Sequence, residues 1–420
     1  MRKIVFAAFA ALLGFLAPAQ VVTDCEAGQL SSRIEDCSIT QLQVSGHIDA
    51  RDFRFIADSL RHLTALDLSA ATIDAYRGKA LFANVTDYAA GEVPCLSLAS
   101  MLELARFALP NDATRLGDGC LLGCTRLTDV QLGNQLTHIG DYAFSGCEQL
   151  VQLHVPQSLA RMGEGAFSNC PSLASVETAS DPDGGMAAAL YIGRRAFANC
   201  PSLARVLPGK VLSGMDAEAF AATGLQELNL GNQAIVTALP DWVLAESALG
   251  QLTLPPSVQT IGDGALMGVE TLSQLTLPAT VNYIGSHAMA YMTGLQQLDC
   301  QATDVPTLGD SVWYGVDQST VKLHVSPQSL ADYRGAAQWC NFMMVSLQPG
   351  DVNADGLVDI ADVNIVINCM LGKDSADNYD GRAYLTEGDL VVDIADVNAS
   401  INYMLGRKRA LRLAAQPSQP

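Results

Sequence analysis

At 420 residues, with 49% hydrophobic and 16% charged residues, the chain can bury a large core, which excludes an intrinsically disordered protein. A formal net charge of −20 excludes nucleic acid as a partner, because phosphate binding needs grouped cations to displace counterions. Beyond its first segment no stretch reaches the ~18 uninterrupted apolar residues of a membrane helix, so no membrane span is expected in the mature protein.

The chain opens with MRKIVFAAFAALLGFLAPAQ, which has a basic start (Arg2, Lys3), an apolar run, and Ala17-Pro18-Ala19 as a cleavage site. Residues 1–19 therefore read as a signal peptide cut after Ala19, and the product as secreted, extracellular or on the cell surface. Cys25 is not preceded by the small apolar residues of a lipoprotein signal, so no lipid anchor is expected. Residues 20–110 carry only imperfect repeats, with Leu66 and Leu68 as an alternating pair, and are expected to cap an open core end. Cys25 and Cys37 lie here, where an exported chain permits either a disulfide or two free thiols.

From residue 111 to 346 a small residue following Ile, Leu or Met recurs: Gly117, Gly140, Gly163, Gly193, Asp216, Pro240, Gly262, Gly285 and Gly309. The spacing is about 22 to 24 residues, a solenoid period. It stretches once, between Gly163 and Gly193, where residues 180–185 (SDPDGG) read as an inserted loop. Three places after the marker stands a small residue (Ala143, Ala166, Ala196, Ala219, Ala265, Ala288), and beside it a bulky one (Phe144, Phe167, Phe197, Phe220, Leu266, Met289, Trp313). Alternating pairs such as Leu153/Val155 and Leu275/Leu277 predict a strand with one buried face. So short a unit cannot enclose its own apolar face, so neighbouring rungs must stack.

The pattern I-G-x-x-A-F-x-x-C-x-x-L-x-x-L-x-L-P resembles the leucine-rich repeats of the secreted bacterial BspA-like surface-protein family. That likeness covers roughly residues 113–342 and implies an α/β repeat solenoid, with one short strand plus a short helix or turn per rung. Cys124, Cys147, Cys170 and Cys200 share one column seven places after the marker, which predicts buried free thiols rather than a disulfide framework. Tyr333, Trp339 and Phe342 leave the period and are expected to close the core's far end.

The outward strand positions form polar columns that include Gln251, Gln274 and Gln297. Such a surface can bind an extracellular protein or polysaccharide, or can merely keep an exposed sheet wet. His154, Glu177, Asp299 and His324 are the residues there with catalytic chemistry. His154 and His324 stand seven rungs apart, about 34 Å at one strand spacing per rung, too far to share a substrate. No nucleophile elbow, zinc-binding helix or C-x-x-C pair occurs elsewhere, so no catalytic residue is assigned.

After Pro349-Gly350 the composition changes, and residues 347–406 read as a separate domain holding two copies of a D-I-A-D-V-N motif. Asp351, Asn353, Asp355, Gly356, Asp359 and Asp362 occupy positions 1, 3, 5, 6, 9 and 12 of a calcium loop, with the Leu357 carbonyl at position 7. Ca²⁺ wants six to eight oxygens, and only a tight turn brings these together. The second copy places Leu385 and Leu390 at positions 1 and 6, leaving Glu387, Asp389, Asp393 and Asp396 as a weak or empty site. Each loop runs into an apolar-periodic helix (Val363/Ile367/Met370/Leu371 and Val397/Ile401/Met404/Leu405) closed by Gly372 or Gly406.

Asp in place of Glu at position 12, the duplication, and no helix ahead of the loop make this segment similar to a type I dockerin. The resemblance implies a small all-α, calcium-binding, dockerin-like domain docking to a cohesin-like protein domain through Ile360-Ala361 and Ile394-Ala395. Those pairs are more apolar than the Ser-Thr pairs of many dockerins, and both isoleucines could instead pack inside. Residues 407–420, with Arg407-Lys408-Arg409 and Arg412, read as a solvated basic tail. The expectation is a secreted, non-catalytic recognition protein, or alternatively a surface adhesin or spacer whose last domain is only a folded stalk.

Overall fold

The computed structural model describes residues 19–178, 188–206, 211–230, 236–326, 328–346, 350–353, 358–374 and 392–405. The leader (1–18), the inserted loop (180–185), Asp355, Leu357, Glu387, Asp389, Gly406 and the basic tail lie outside them.

The chain is a repeat solenoid of stacked parallel strands that divides into two compact units, Met1–Leu272 with Tyr283–Gly294 and Leu308–Val316, and Ser273–Asn282 with Leu295–Thr307 and Asp317–Pro420. In the first, the strands Ala19–Cys25, Gln41–Ile48, Ala65–Ile73, Arg106–Ala108 and Asp129–Gln131 form one parallel sheet in that order. Gln152–Val155, Ser175–Thr178 and Arg205–Val206 form another, and Glu227–Asn229 pairs with Gln251–Thr253. A second sheet was not anticipated. Residues just before each marker pair in parallel with their counterparts: Glu92–Val93, Arg115–Leu116, His138–Ile139, Arg161–Met162, Leu190–Ile192 and Leu212–Met215. Four of these six are only two residues long, too short for alternation to mark them as strands.

Between the two strands each rung makes turns, not a helix. Two positions per rung adopt left-handed backbone, such as Tyr142 (φ 54°) with Gly146 (φ 72°) and Arg195 (φ 55°) with Asn199 (φ 60°), which breaks any helical run. The backbone groups pair between rungs instead. Phe144, Phe167, Phe197 and Phe220 each donate an N–H to the carbonyl of Ala166, Ala196, Ala219 and Val243, at 2.7 to 2.9 Å. Side chains follow the same register, so the four phenylalanines stack with ring centroids 5.0, 5.4 and 5.5 Å apart and planes within 7°. The marker is small because rungs touch there: a Cβ on Gly163 would lie 2.6 Å from the Asp141 amide nitrogen. Beside the marker runs a carboxylate column. Asp118, Asp141 and Asp241 Oδ1 accept the next rung's N–H from Asp141, Glu164 and Asp263 at 3.1, 2.8 and 2.8 Å.

The cysteine column is buried, and each thiol donates to a carbonyl of the preceding rung: Cys124 to Leu98, Cys147 to Leu121, Cys170 to Phe144 and Cys200 to Phe167, at 3.1 to 3.5 Å. All eleven cysteines are free, including Cys25, which is buried, and Cys37, which is exposed. Burial pushes the Cys124 thiol up to about 12 and raises Cys147 as well, which suppresses the reactive thiolate. Alkylation of the native protein near neutral pH is therefore expected to label Cys37 and Cys340, both exposed, and to spare the column. A Cys147–Cys170 disulfide in the mass spectrum would refute the packing assignment.

In the second unit the strands Gln274–Leu277, Gln297–Cys300, Lys322–Val325 and Met343–Ser346 form a parallel sheet. Tyr333 and Trp339 are buried edge to face (5.2 Å), with Phe342 beside them. Their polar atoms are satisfied by the Ala302 and Pro306 carbonyls at 3.1 and 3.2 Å. Further on, the helices Ile360–Met370 and Ile394–Met404 pack around Val352, Val366 and Val397. Leu371 and Leu405, expected on the inward stripe, are exposed. They fall eleven residues after Ile360 and Ile394, about three turns, and so share the outward face.

Candidate functional site

The outward columns of the long strands are polar, as the alternation requires, but their members differ in freedom. Gln274 and Gln297 are register partners; Gln274 is exposed, whereas Gln297 is half-buried and donates to both Asp299 oxygens at 3.0 and 3.1 Å. Gln251 belongs to the other unit, exposed and in register with Glu227.

The four residues with catalytic chemistry form two separate pairs, each one rung apart. His154 Nε2 lies 3.7 Å from Glu177, on an exposed surface. His324 corrects an expectation: placed among wet outward residues by its column, it is 8% exposed, with Nδ1 2.7 Å from Asp299. The Met343–Ser346 strand adds to the far side of its own, setting Val345 beside His324 and making an interior strand of what the repeat alone would leave at the edge. One period of spacing within one column was the sequence signal for both pairs. Each pair sets an imidazole beside a carboxylate, at 3.7 and 2.7 Å.

Burial alone would raise the Asp299 carboxyl, but hydrogen bonds from His324 and Gln297, with the attraction of His324, hold it below the usual carboxylate range. A folded-state value below the unfolded one, about 3.9, makes the stabilisation full above about pH 4 and lost as pH falls through the folded value. Asp299→Asn is expected to flatten the decline of melting temperature on acidification. Identical acid slopes in wild type and variant would remove Asp299 from that transition.

In the C-terminal segment Asp351 is 1% exposed and Asp362 is fully buried. Asp362 closes the loop on itself: Oδ1 accepts from the Val352 and Asn353 amides at 2.7 and 3.1 Å, and Oδ2 from Asp359 at 2.9 Å. Asp359 in turn caps the helix by accepting from Ala361 at 2.7 Å. The second copy repeats the cap, with Asp396 accepting from Asp393 at 3.0 Å and Asp393 from Ala395 at 2.6 Å. Asp351 and Asp362 are both withdrawn from water in this loop, and carboxylate, amide and carbonyl oxygens are the donor chemistry that a hard divalent ion takes. Among the described residues no three ligating side chains converge; Asp355 and Leu357 lie outside them. Ile360 and Ile394 are each 61% exposed and so are not core residues. Ala361 is half-buried and Ala395 exposed.

No helix among the described residues is long and apolar enough to cross a membrane. No curated protein matches the chain. Several solved structures are similar to it, among them these three. A leucine-rich repeat protein from Bacteroides ovatus is 16% identical, with TM-score 0.26 over 62% of this chain and 89% of that one. A leucine-rich cell surface protein from Faecalibacterium prausnitzii is 17% identical, with TM-score 0.34 over 57% and 65%. The pneumococcal vaccine antigen PcpA is 15% identical, with TM-score 0.39 over 73% and 77%. A family description, the BspA type leucine-rich repeat region, matches in six copies over residues 97–205 and 190–319. These copies hold the phenylalanine, alanine and cysteine columns and span more than half of the 420 residues, and the chain belongs to the BspA-type leucine-rich repeat family.

Proposed function

We propose that this is a secreted, non-catalytic recognition protein. Its leucine-rich sheet binds an extracellular protein or polysaccharide, and its C-terminal segment is a calcium-dependent, dockerin-like module for a cohesin-like protein domain. The observation that carries the reading is the duplicated outward face of the two last helices. Ile360 with Leu371, and Ile394 with Leu405, stay exposed in both copies while Val363 and Val397 are buried. Apolar side chains kept in water twice over at matching positions suit a docking surface. Asp351, Asn353, Asp355, Asp359, Asp362 and the Leu357 carbonyl would hold Ca²⁺, which supplies the positive charge the loop lacks. Capture by an immobilised cohesin-type domain in Ca²⁺, lost in Ile360→Asp with Ile394→Asp, is the test; no capture in Ca²⁺ refutes docking.

The sheet gives a second expected outcome. Lys at Gln251 and at Gln274, both exposed, should weaken partner binding roughly tenfold or more while leaving the melting temperature unchanged, since exposed substitutions away from special features usually cost within about 0.5 kcal/mol; Gln297, which donates to Asp299, is left in place. Undiminished binding by both variants would move the site off these columns.

A further inference from the structure

We propose that a hollow in the polar face of the N-terminal sheet is a binding site for a neutral oligosaccharide, separate from the columns at Gln251, Gln274 and Gln297. Parallel pairing puts Gln41, Ala65, Arg106 and Asp129 in one row across four strands, and Gln43, Asp67, Ala108 and Gln131 in the row two residues on. Alanine at one place in each row lowers the floor where longer side chains stand around it. The Gln41–Ile48 and Ala65–Ile73 strands run on together past the short Arg106–Ala108 and Asp129–Gln131 strands, and a register shift between Gln43 and Ser45 lets the Ser69-Ala70 stretch wall one end. Asn111 stands at the rim. The cavity measures about 410 Å³, within the ~300–1,000 Å³ usual for small-molecule sites.

The lining chemistry selects among ligands. Of five amide residues in the lining, Gln20 already donates to the Arg33 carbonyl at 2.8 Å, while Gln41, Gln43, Gln131 and Asn111 carry groups that donate and accept, and beside them stand Asp67, Asp129 and a single Arg106. Two carboxylates against one guanidinium repel a polyanion. A cationic ligand meets Asp67 already accepting from the Ser69 amide at 2.9 Å and from Gln43 at 3.4 Å. An apolar ligand would leave the amides unpaired, which costs more than its burial returns. An extended peptide finds no free backbone on the floor, since the Gln41–Ile48, Ala65–Ile73 and Arg106–Ala108 strands beneath are paired on both sides. Vicinal hydroxyls donate and accept at once and match this mixed set, while sugar-ring C–H groups can rest on the two alanine methyls.

The test is titration of the purified protein with neutral oligosaccharides (β-1,4-glucan, β-1,4-mannan, β-1,4-xylan and α-1,4-glucan), read by saturation-transfer NMR and calorimetry. At least one is expected to bind, and Gln43→Ala or Ala65→Leu to weaken it roughly tenfold or more with an unchanged melting temperature. Ala108→Leu fills the same floor from another strand and serves if Ala65→Leu misfolds, and Glu148→Gln, at an exposed turn position outside the hollow, should bind as wild type does. The proposal is overturned if no sugar binds at millimolar concentration, if the hollow variants bind unchanged, or if a sulfated polyanion or a basic peptide is preferred.

Discussion

Chelation of Ca²⁺ is expected to unfold residues 350–405 while the solenoid's own melting transition stays in place. Eleven acidic residues between 350 and 406 face only Lys373 and Arg382, and the segment's fully described core is Val352, Val366 and Val397 with a fringe of half-buried neighbours. So small a core cannot offset strong self-repulsion. A cation held by the first loop would neutralise Asp351 and Asp362, both already out of water, and its binding free energy would become folding free energy. Asp351→Ala with Asp355→Ala should therefore reproduce chelation even in excess Ca²⁺. Limited proteolysis and NMR on the whole protein read both effects. Equal protection and equally dispersed signals with and without chelator would end the calcium reading.

Phe167→Ala should destabilise the solenoid by ~3 to 5 kcal/mol, the usual loss for emptying a buried phenylalanine site. Phe167 is fully buried and stacks at 5.0 Å on Phe144 and 5.4 Å on Phe197. Neither neighbour can slide into the gap, because each is fixed to the next rung by its own N–H, Phe144 to Ala166 and Phe197 to Ala219. Stability in a stacked array is a sum over nearest neighbours, so both interfaces are weakened at once. Phe167→Leu, which keeps most of the volume, should cost less than ~3 kcal/mol. Urea unfolding measures both, and a change for the alanine variant within about 0.5 kcal/mol would mean that the ladder does not carry the core.

Period and column identity were enough, from sequence alone, to place Phe144 to Phe220 in one ladder, to put the four column cysteines inside, and to stack the rungs in parallel. A repeat states its packing over and over, because each column meets a copy of itself one rung away. Tertiary structure decided whatever depends on a neighbour from another pattern. Most of the strands before a marker are too short for alternation to show, and appear only when rungs pair. Asp118, Asp141 and Asp241 look like surface charge until their oxygens meet the next rung's amides. Leu371 and Leu405 fit a helical stripe, but the core they would join is filled by Val352, Val366 and Val397. His324 sits in a column that is wet elsewhere. It is dry because Met343–Ser346, a strand outside the repeat, pairs beside it, and burial is set by what covers a residue, which its own column cannot say.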